Sequence, residues 1–94
     1  MNNYEKRSRM LKAMAHPVRI KIIEALAQGE KCVCELQKLS KFKMSTISRH
    51  LLQMKNAKII AGRRDKNQIF YKLLVPCVLN VFKCIDRAML TGKC

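Results

Sequence analysis

Acidic residues are scarce in this chain: six Asp and Glu stand against twenty Lys and Arg, for a formal charge of +14 over 94 residues. So large an excess points to a polyanionic partner, nucleic acid first and an anionic membrane surface second. Long hydrophobic runs are also missing. The longest, Leu73 to Leu79, is interrupted by Pro76 and falls far short of the roughly 20 residues a membrane-crossing helix needs. The opening Met1-Asn-Asn-Tyr-Glu5 has no apolar stretch of the kind that begins a secretory signal, so the expected location is the cytoplasm. Glycine numbers only three, and there is no glycine-rich phosphate loop and no nucleophile with a base and an orienting partner. An enzyme is therefore not expected. Aromatics make up 5% of the chain. Phe42, Phe70, Tyr71 and Phe82 have natural core or hairpin roles, which leaves few rings for stacking on bases and weighs against a basic RNA-binding protein. No repeat, linker or low-complexity run divides the chain, so residues 1–94 form one domain. At this size, pairing with a second copy adds much of the buried surface.

What is present centres on Ser45-Thr-Ile-Ser-Arg-His-Leu-Leu-Gln-Met54. Ile47, Leu51 and Met54 recur at i, i+4 and i+7 as a packing stripe, while Ser45, Thr46, Arg49 and Gln53 point the other way. The outward set suits DNA. Short hydroxyls allow close approach to a phosphate, Arg49 can pair with guanine, and Gln53 can pair with adenine. Cys34 to Leu39 reads as a short helix with Leu36 and Leu39 inward, and Ser40-Lys-Phe-Lys43 has the length of the turn in a helix-turn-helix. Beyond the central helix, Ile59 to Arg64 and Gln68 to Leu74 are strand-like, joined by the turn-tolerant Asp65-Lys-Asn67. Between Lys38 and Lys72 lie ten basic residues and one acid, Asp65.

The flanks read as helices. Residues 2–15 carry Tyr4, Leu11 and Met14 among charges, and Met10 joins Met14 at i+4. His16-Pro17 resets the backbone, with His16 as a boundary residue. Pro17 to Gln28 buries Ile22, Ile23 and Leu26, exposes Lys21, Glu24 and Gln28, and ends at Gly29. From Pro76 a terminal helix carries Val78, Phe82, Ile85 and Met89 on one stripe and Cys77, Val81, Cys84 and Ala88 on the next. Two apolar stripes suggest burial against another helix, such as the same helix of a partner subunit.

Five cysteines, Cys32, Cys34, Cys77, Cys84 and Cys94, are not expected to form a structural disulfide framework in a reducing compartment. They are thiols for metal or redox chemistry, or small buried hydrophobes. Glu30 to Leu36 reads as the opening of the third helix. Inside a regular helix Cys32 and Cys34 lie about 200° apart and cannot grip one ion together, whereas in an extended segment they fall on one side. Ligation is thus expected to unwind the start of this helix.

Ala13-Met-Ala-His-Pro-Val-Arg-Ile20, Cys32-Val-Cys-Glu-Leu36, Ser45-Thr-Ile-Ser-Arg-His-Leu51 and Arg64-Asp-Lys-Asn-Gln-Ile-Phe-Tyr-Lys-Leu73 together resemble the ArsR/SmtB family of repressors over roughly residues 10–90. The resemblance implies a mainly α fold with a small β-hairpin wing, a winged helix-turn-helix of five helices with two strands before the last. It also implies a homodimer joined through helices 2–15 and 76–90, with the helix-turn-helix at 32–56 and the wing at 59–74. Such proteins occupy a palindromic operator and leave it when a metal ion, metalloid or oxidant reaches their cysteines or histidines.

By this resemblance Ser45, Thr46, Ser48, Arg49 and His50 lie on the recognition helix and Arg63, Arg64 and Lys66 on the wing. Cys32 and Cys34 form the Cys-Val-Cys box of arsenic, antimony, cadmium and lead sensors. No cofactor is implied for DNA binding itself. Two departures stand out. Gln37 replaces the third cysteine of the arsenic pattern, so a three-sulfur site would be completed by Cys77, Cys84 or Cys94, of the same chain or of the other subunit. Lys43 stands where a serine caps the recognition helix, and the cap is either missing or replaced by a phosphate contact from the lysine.

The inducer implied is trivalent arsenic or antimony, then cadmium or lead, because thiolate is their preferred ligand. The alternative is a thiol switch responding to oxidant or persulfide, in which Cys32 or Cys34 pairs with Cys77, Cys84 or another subunit's cysteine. Basic surroundings from Lys31 and Lys83 would lower the thiol pKa and assist either chemistry.

Overall fold

The computed structural model describes residues 1–92, so Cys94 lies outside the described residues. The first helix, α1 (Asn3–Met14), starts where Asn2 accepts the Glu5 N–H at 2.8 Å, and it carries Glu5 in its first turn. His16 begins α2 (Pro17–Leu26): its Nδ1 accepts the Val18 N–H at 3.1 Å, and Pro17 occupies the first helical position. This is the boundary role expected of His16. Gly29, at φ +140°, then turns the chain through a conformation that side chains disfavour.

Here the structure departs from the sequence reading. Lys31–Cys32 is not the start of a helix but a two-residue strand, β1, and α3 is a single short turn of helix, Val33–Gln37. The helix α4 (Met44–Asn56) follows, with Lys43 at its cap position making no side-chain hydrogen bond to it. Lys58, at φ 67°, leads into β2 (Ile60–Asp65), and Lys66, at φ 59°, carries the tight turn into β3 (Gln68–Leu73). The last helix, α5 (Val78–Thr91), closes at Gly92 (φ 71°), whose N–H reaches Ala88 O at 2.8 Å.

The wing is thus a three-stranded antiparallel sheet in the order β1-β3-β2, with Cys32 opposite Phe70 and Gly62 opposite Tyr71. The expected hairpin is present, and the strand before α3 adds to its other side.

The core lies where α2, α3 and α4 meet the base of the wing. Ile22, Ile23, Leu36, Ile47, Leu51, Met54, Ile59 and Ile60 are all fully buried. Burying each such side chain contributes about 1.5–3 kcal/mol relative to leaving it exposed, so the stripe Ile47, Leu51 and Met54 fixes the rotation of α4 about its axis. The terminal helices are different. Of α1 only Met14 is buried, and of α5 only Val78. Tyr4, Leu11, Val81, Ile85, Met89 and Leu90 stay exposed, Met89 at 73% and Leu90 at 86%. Phe42, expected in the core or hairpin, is also exposed, because the turn before α4 carries it outward.

Candidate nucleic-acid interface

With its apolar stripe inward, α4 presents Ser45, Ser48, Arg49, Leu52 and Gln53 to solvent and leaves Thr46 half-buried. The hydroxyls sit in the first turns of the helix, beside N–H groups that no side-chain cap occupies. A cluster of donors with a positive helix end suits an anionic backbone, and Arg49 adds a planar fork for a base edge. Lys43 is exposed at the same end and free of a capping role.

Two of the expected DNA-reading residues, His50 and Gln53, are engaged by an arginine from outside the helix. Arg19 of α2 donates from Nε to His50 Nδ1 at 2.9 Å, from Nη2 to Gln53 Oε1, and from Nη1 to the Ala13 carbonyl at 3.1 Å. The His16 ring lies 4.5 Å from the His50 ring, centroid to centroid, at 48°. His50 therefore belongs to a polar bridge between α2 and α4 and does not stand free toward solvent. Burial, with the nearby His16, Arg19 and Arg49, holds its pKa below the ordinary histidine value. Since Arg19 can only donate, the bridge fixes His50 with its proton on Nε2. Arg19 was not a sequence candidate, and no local signal could have marked it: its partners on α4 lie 31 and 34 residues away.

On the wing, Arg64 and Lys66 are exposed. Arg63 is committed elsewhere. Its Nε contacts Glu30 Oε2 at 2.9 Å, its guanidinium lies 4.9 Å from the Phe70 ring centroid, and Asp65 stands 3.8 Å from Nη1. Arg63 and Glu30 shift each other's ionisation, the carboxyl downward and the guanidinium upward. Alternation along β2 accounts for the split. Arg63 shares a face with its cross-strand neighbour Phe70, while Arg64 shares the opposite face with Ile69. Arg63 thereby clamps the wing to the segment before β1.

The cysteines change the picture most. Cys32 is extended at the end of β1 (φ −79°, ψ 163°), Cys34 lies in the first turn of α3, and the two are joined in a disulfide with Cα atoms 5.4 Å apart. The strand-to-helix junction already brings both sulfurs to one side, so no helix has to unwind for them to meet. Within this chain the pair links to itself, not to Cys77 or Cys84, two of the partners the thiol-switch reading named. Cys32 is buried and its N–H donates to Glu35 Oε1 at 3.2 Å, while Cys34 is exposed. Among the described residues no three His, Cys, Asp or Glu side chains converge on a metal position, Cys77 and Cys84 included. Cys77 is an exposed free thiol at the start of α5.

A cleft of about 330 Å³ joins these parts: Cys32 and Cys34 on one wall, Met44 and Ser48 of α4 on another, Asn67 and Ile69 of the wing on the third. The cysteine pair thus borders both α4 and the wing at once.

Among the described residues no helix is long and apolar enough to cross a membrane. Residues 16–61 match the family described as "Bacterial regulatory protein, arsR family". The chain is 34% identical over 87 residues to an uncharacterized HTH-type transcriptional regulator of Methanocaldococcus jannaschii, covering 92% of this chain and 98% of the relative. It is 30% identical over 71 residues to an arsenical resistance operon repressor of Staphylococcus xylosus, covering 76% and 68% respectively. In three dimensions it is similar to HlyU from Vibrio cholerae, with a TM-score of 0.79, 25% identity and 98% of each chain covered.

Proposed function

The chain belongs to the ArsR family of DNA-binding transcriptional repressors, and from that premise we propose that it binds operator DNA as a homodimer under the control of the Cys32–Cys34 pair. Each subunit lays α4 in a major groove, with Ser45, Thr46, Ser48 and Arg49 toward the DNA and Arg64 and Lys66 over flanking phosphates. Lys43, uncapped and exposed, takes a phosphate at the start of α4. The exposed apolar residues of α1 and α5 supply the dimer surface.

In its reduced form the pair offers two thiolates on one side of the β1–α3 junction, which is the ligand set a thiophilic ion prefers. Trivalent arsenic or antimony comes first and cadmium or lead second, with the remaining coordination supplied from outside the pair. The observation that carries this reading is the meeting of the two sulfurs at a cleft whose other walls are α4 and the wing. An ion held there pulls on β1, and through the Cys32–Phe70 pairing on the wing, so the spacing of the DNA-facing elements is lost.

The disulfide favours a second reading, in which an oxidant such as a peroxide removes two electrons and two protons from the thiols and closes the pair. One experiment separates the two. Operator affinity is measured by fluorescence anisotropy at fixed salt on reduced protein, with and without stoichiometric trivalent arsenic, and again after mild oxidation. Release by arsenic under reducing conditions supports the metalloid sensor, and release by oxidant alone supports the redox switch. The double variant Cys32→Ser, Cys34→Ser should bind DNA and respond to neither. A double variant that still lets go would place the sensor elsewhere.

A further inference from the structure

Arg19 lies outside the helix-turn-helix, yet it touches the DNA-facing helix at two side chains. Its guanidinium reaches three acceptors on two other helical segments: the Ala13 carbonyl at the end of α1, and His50 Nδ1 and Gln53 Oε1 on α4. We propose that Arg19 sets the base preference of α4, by holding the carbonyl oxygen of Gln53 so that this side chain offers DNA only its amide N–H donors. The inference rests on the reading of α4 as the DNA-facing helix.

What matters is hydrogen-bond orientation. A guanidinium has five donors and no acceptor, so whichever end of an amide faces it must be the oxygen. Gln53 is exposed, on the flank of α4 one turn beyond Arg49, and the bond from Arg19 is to its oxygen, which leaves the NH2 group as the end available to what approaches from outside. A glutamine free at both ends matches adenine, accepting from N6 and donating to N7. With its oxygen turned toward Arg19, the end left for a base edge is the NH2 donor, and the base edge rich in acceptors is guanine, through O6 and N7. His50 and the Ala13 carbonyl hold the guanidinium at two further points, so Arg19 cannot swing out with Gln53 without losing both. The adenine pairing available to an isolated glutamine is replaced by a donor-only contact, and a residue of α2 makes that choice.

The test is selection of bound sequences from a randomised duplex library at one fixed salt concentration, using the full chain. Wild type should enrich a motif with guanine at one position per half-site. Gln53→Ala should make that position, and no other, degenerate. Arg19→Met frees the Gln53 oxygen and should move the preference there to adenine by roughly tenfold. Gln53→Glu keeps Arg19 occupied but presents an acceptor, which should move the preference to cytosine through its N4 donor.

If Arg19→Met retains guanine while lowering affinity for all sequences alike, Arg19 is only structural and the inference falls. If a thermal melt shows that Arg19→Met does not fold, Gln53→Glu decides alone, and persistence of guanine in that variant overturns the proposal. Should Gln53→Ala leave every position unchanged, Gln53 reads no base and the proposal falls as well. A wild-type protein that enriches no motif would remove the operator reading and this inference with it. A wild-type motif that none of these variants alters removes this inference alone.

Discussion

At Gly62 the constraint is steric. A Cβ placed there would sit 3.0 Å from Tyr71 Cε1 and 3.5 Å from Ile69 Cγ2, and Tyr71 is buried between the wing and the core. Gly62→Ala is expected to destabilise the domain by about 1–3 kcal/mol, the usual cost of overpacking, read as a lower urea midpoint at unchanged slope. His50 makes a prediction about pH. Its folded pKa is lowered by burial and by His16, Arg19 and Arg49, so the unfolded chain takes up a proton first as the solution is acidified. Stability should therefore fall as pH drops through the ordinary imidazole value of about 6.5 and continue falling until the lower folded value is passed. His50→Gln keeps an acceptor for Arg19 and removes the titration. Urea unfolding between neutrality and mild acid should show a flatter profile for that variant than for wild type.

Among the elements, α4 was the most legible in the sequence and β1 the least, and both outcomes have physical causes. Ile47, Leu51 and Met54 repeat at helical spacing, and all three are fully buried. Periodicity reports burial directly when one face of a long helix carries it. The strand β1 has two residues and exists only because β3 lies beside it, so nothing within Lys31–Cys32 could announce it. With β1 unseen, the meeting of Cys32 and Cys34 was unseen too, since helical geometry would hold them apart.

The same limit explains Arg63 and Gln53. Their partners Glu30 and Arg19 are 33 and 34 residues distant, and outward-pointing position alone did not tell which polar side chains were already engaged. The missing cap of α4 was legible, because a lysine at that position cannot accept from a backbone N–H. Lys43→Ser should stabilise the fold by about 1 kcal/mol through a restored cap. If Lys43 holds a phosphate, the same change should weaken DNA binding for all sequences and lower the salt-dependence slope by about one. Thermal melts and a salt titration of binding report the two effects separately.

For the whole molecule, the uneven burial of the helices is the main fact. The core is complete around α2, α3 and α4, while α5 leaves Val81, Ile85, Met89 and Leu90 in solvent. A contiguous apolar face of this kind is where a second copy would bury surface that a chain of 94 residues lacks on its own. Ile85→Glu with Leu90→Glu should give a monomer by sedimentation, with the helical circular dichroism largely retained and operator affinity reduced, because two half-sites are no longer engaged together.

Among the described residues, the order β1-β3-β2 also leaves the outer side of β2 without a neighbouring strand over Ile60–Asp65. An open strand edge invites addition of a strand from another chain, and charged side chains along it are a common defence. Arg63, Arg64 and Asp65 occupy that edge, so the wing's charge guards the edge against aggregation. Turbidity of a charge-stripped wing variant is therefore as much a consequence of this sheet order as any loss of binding.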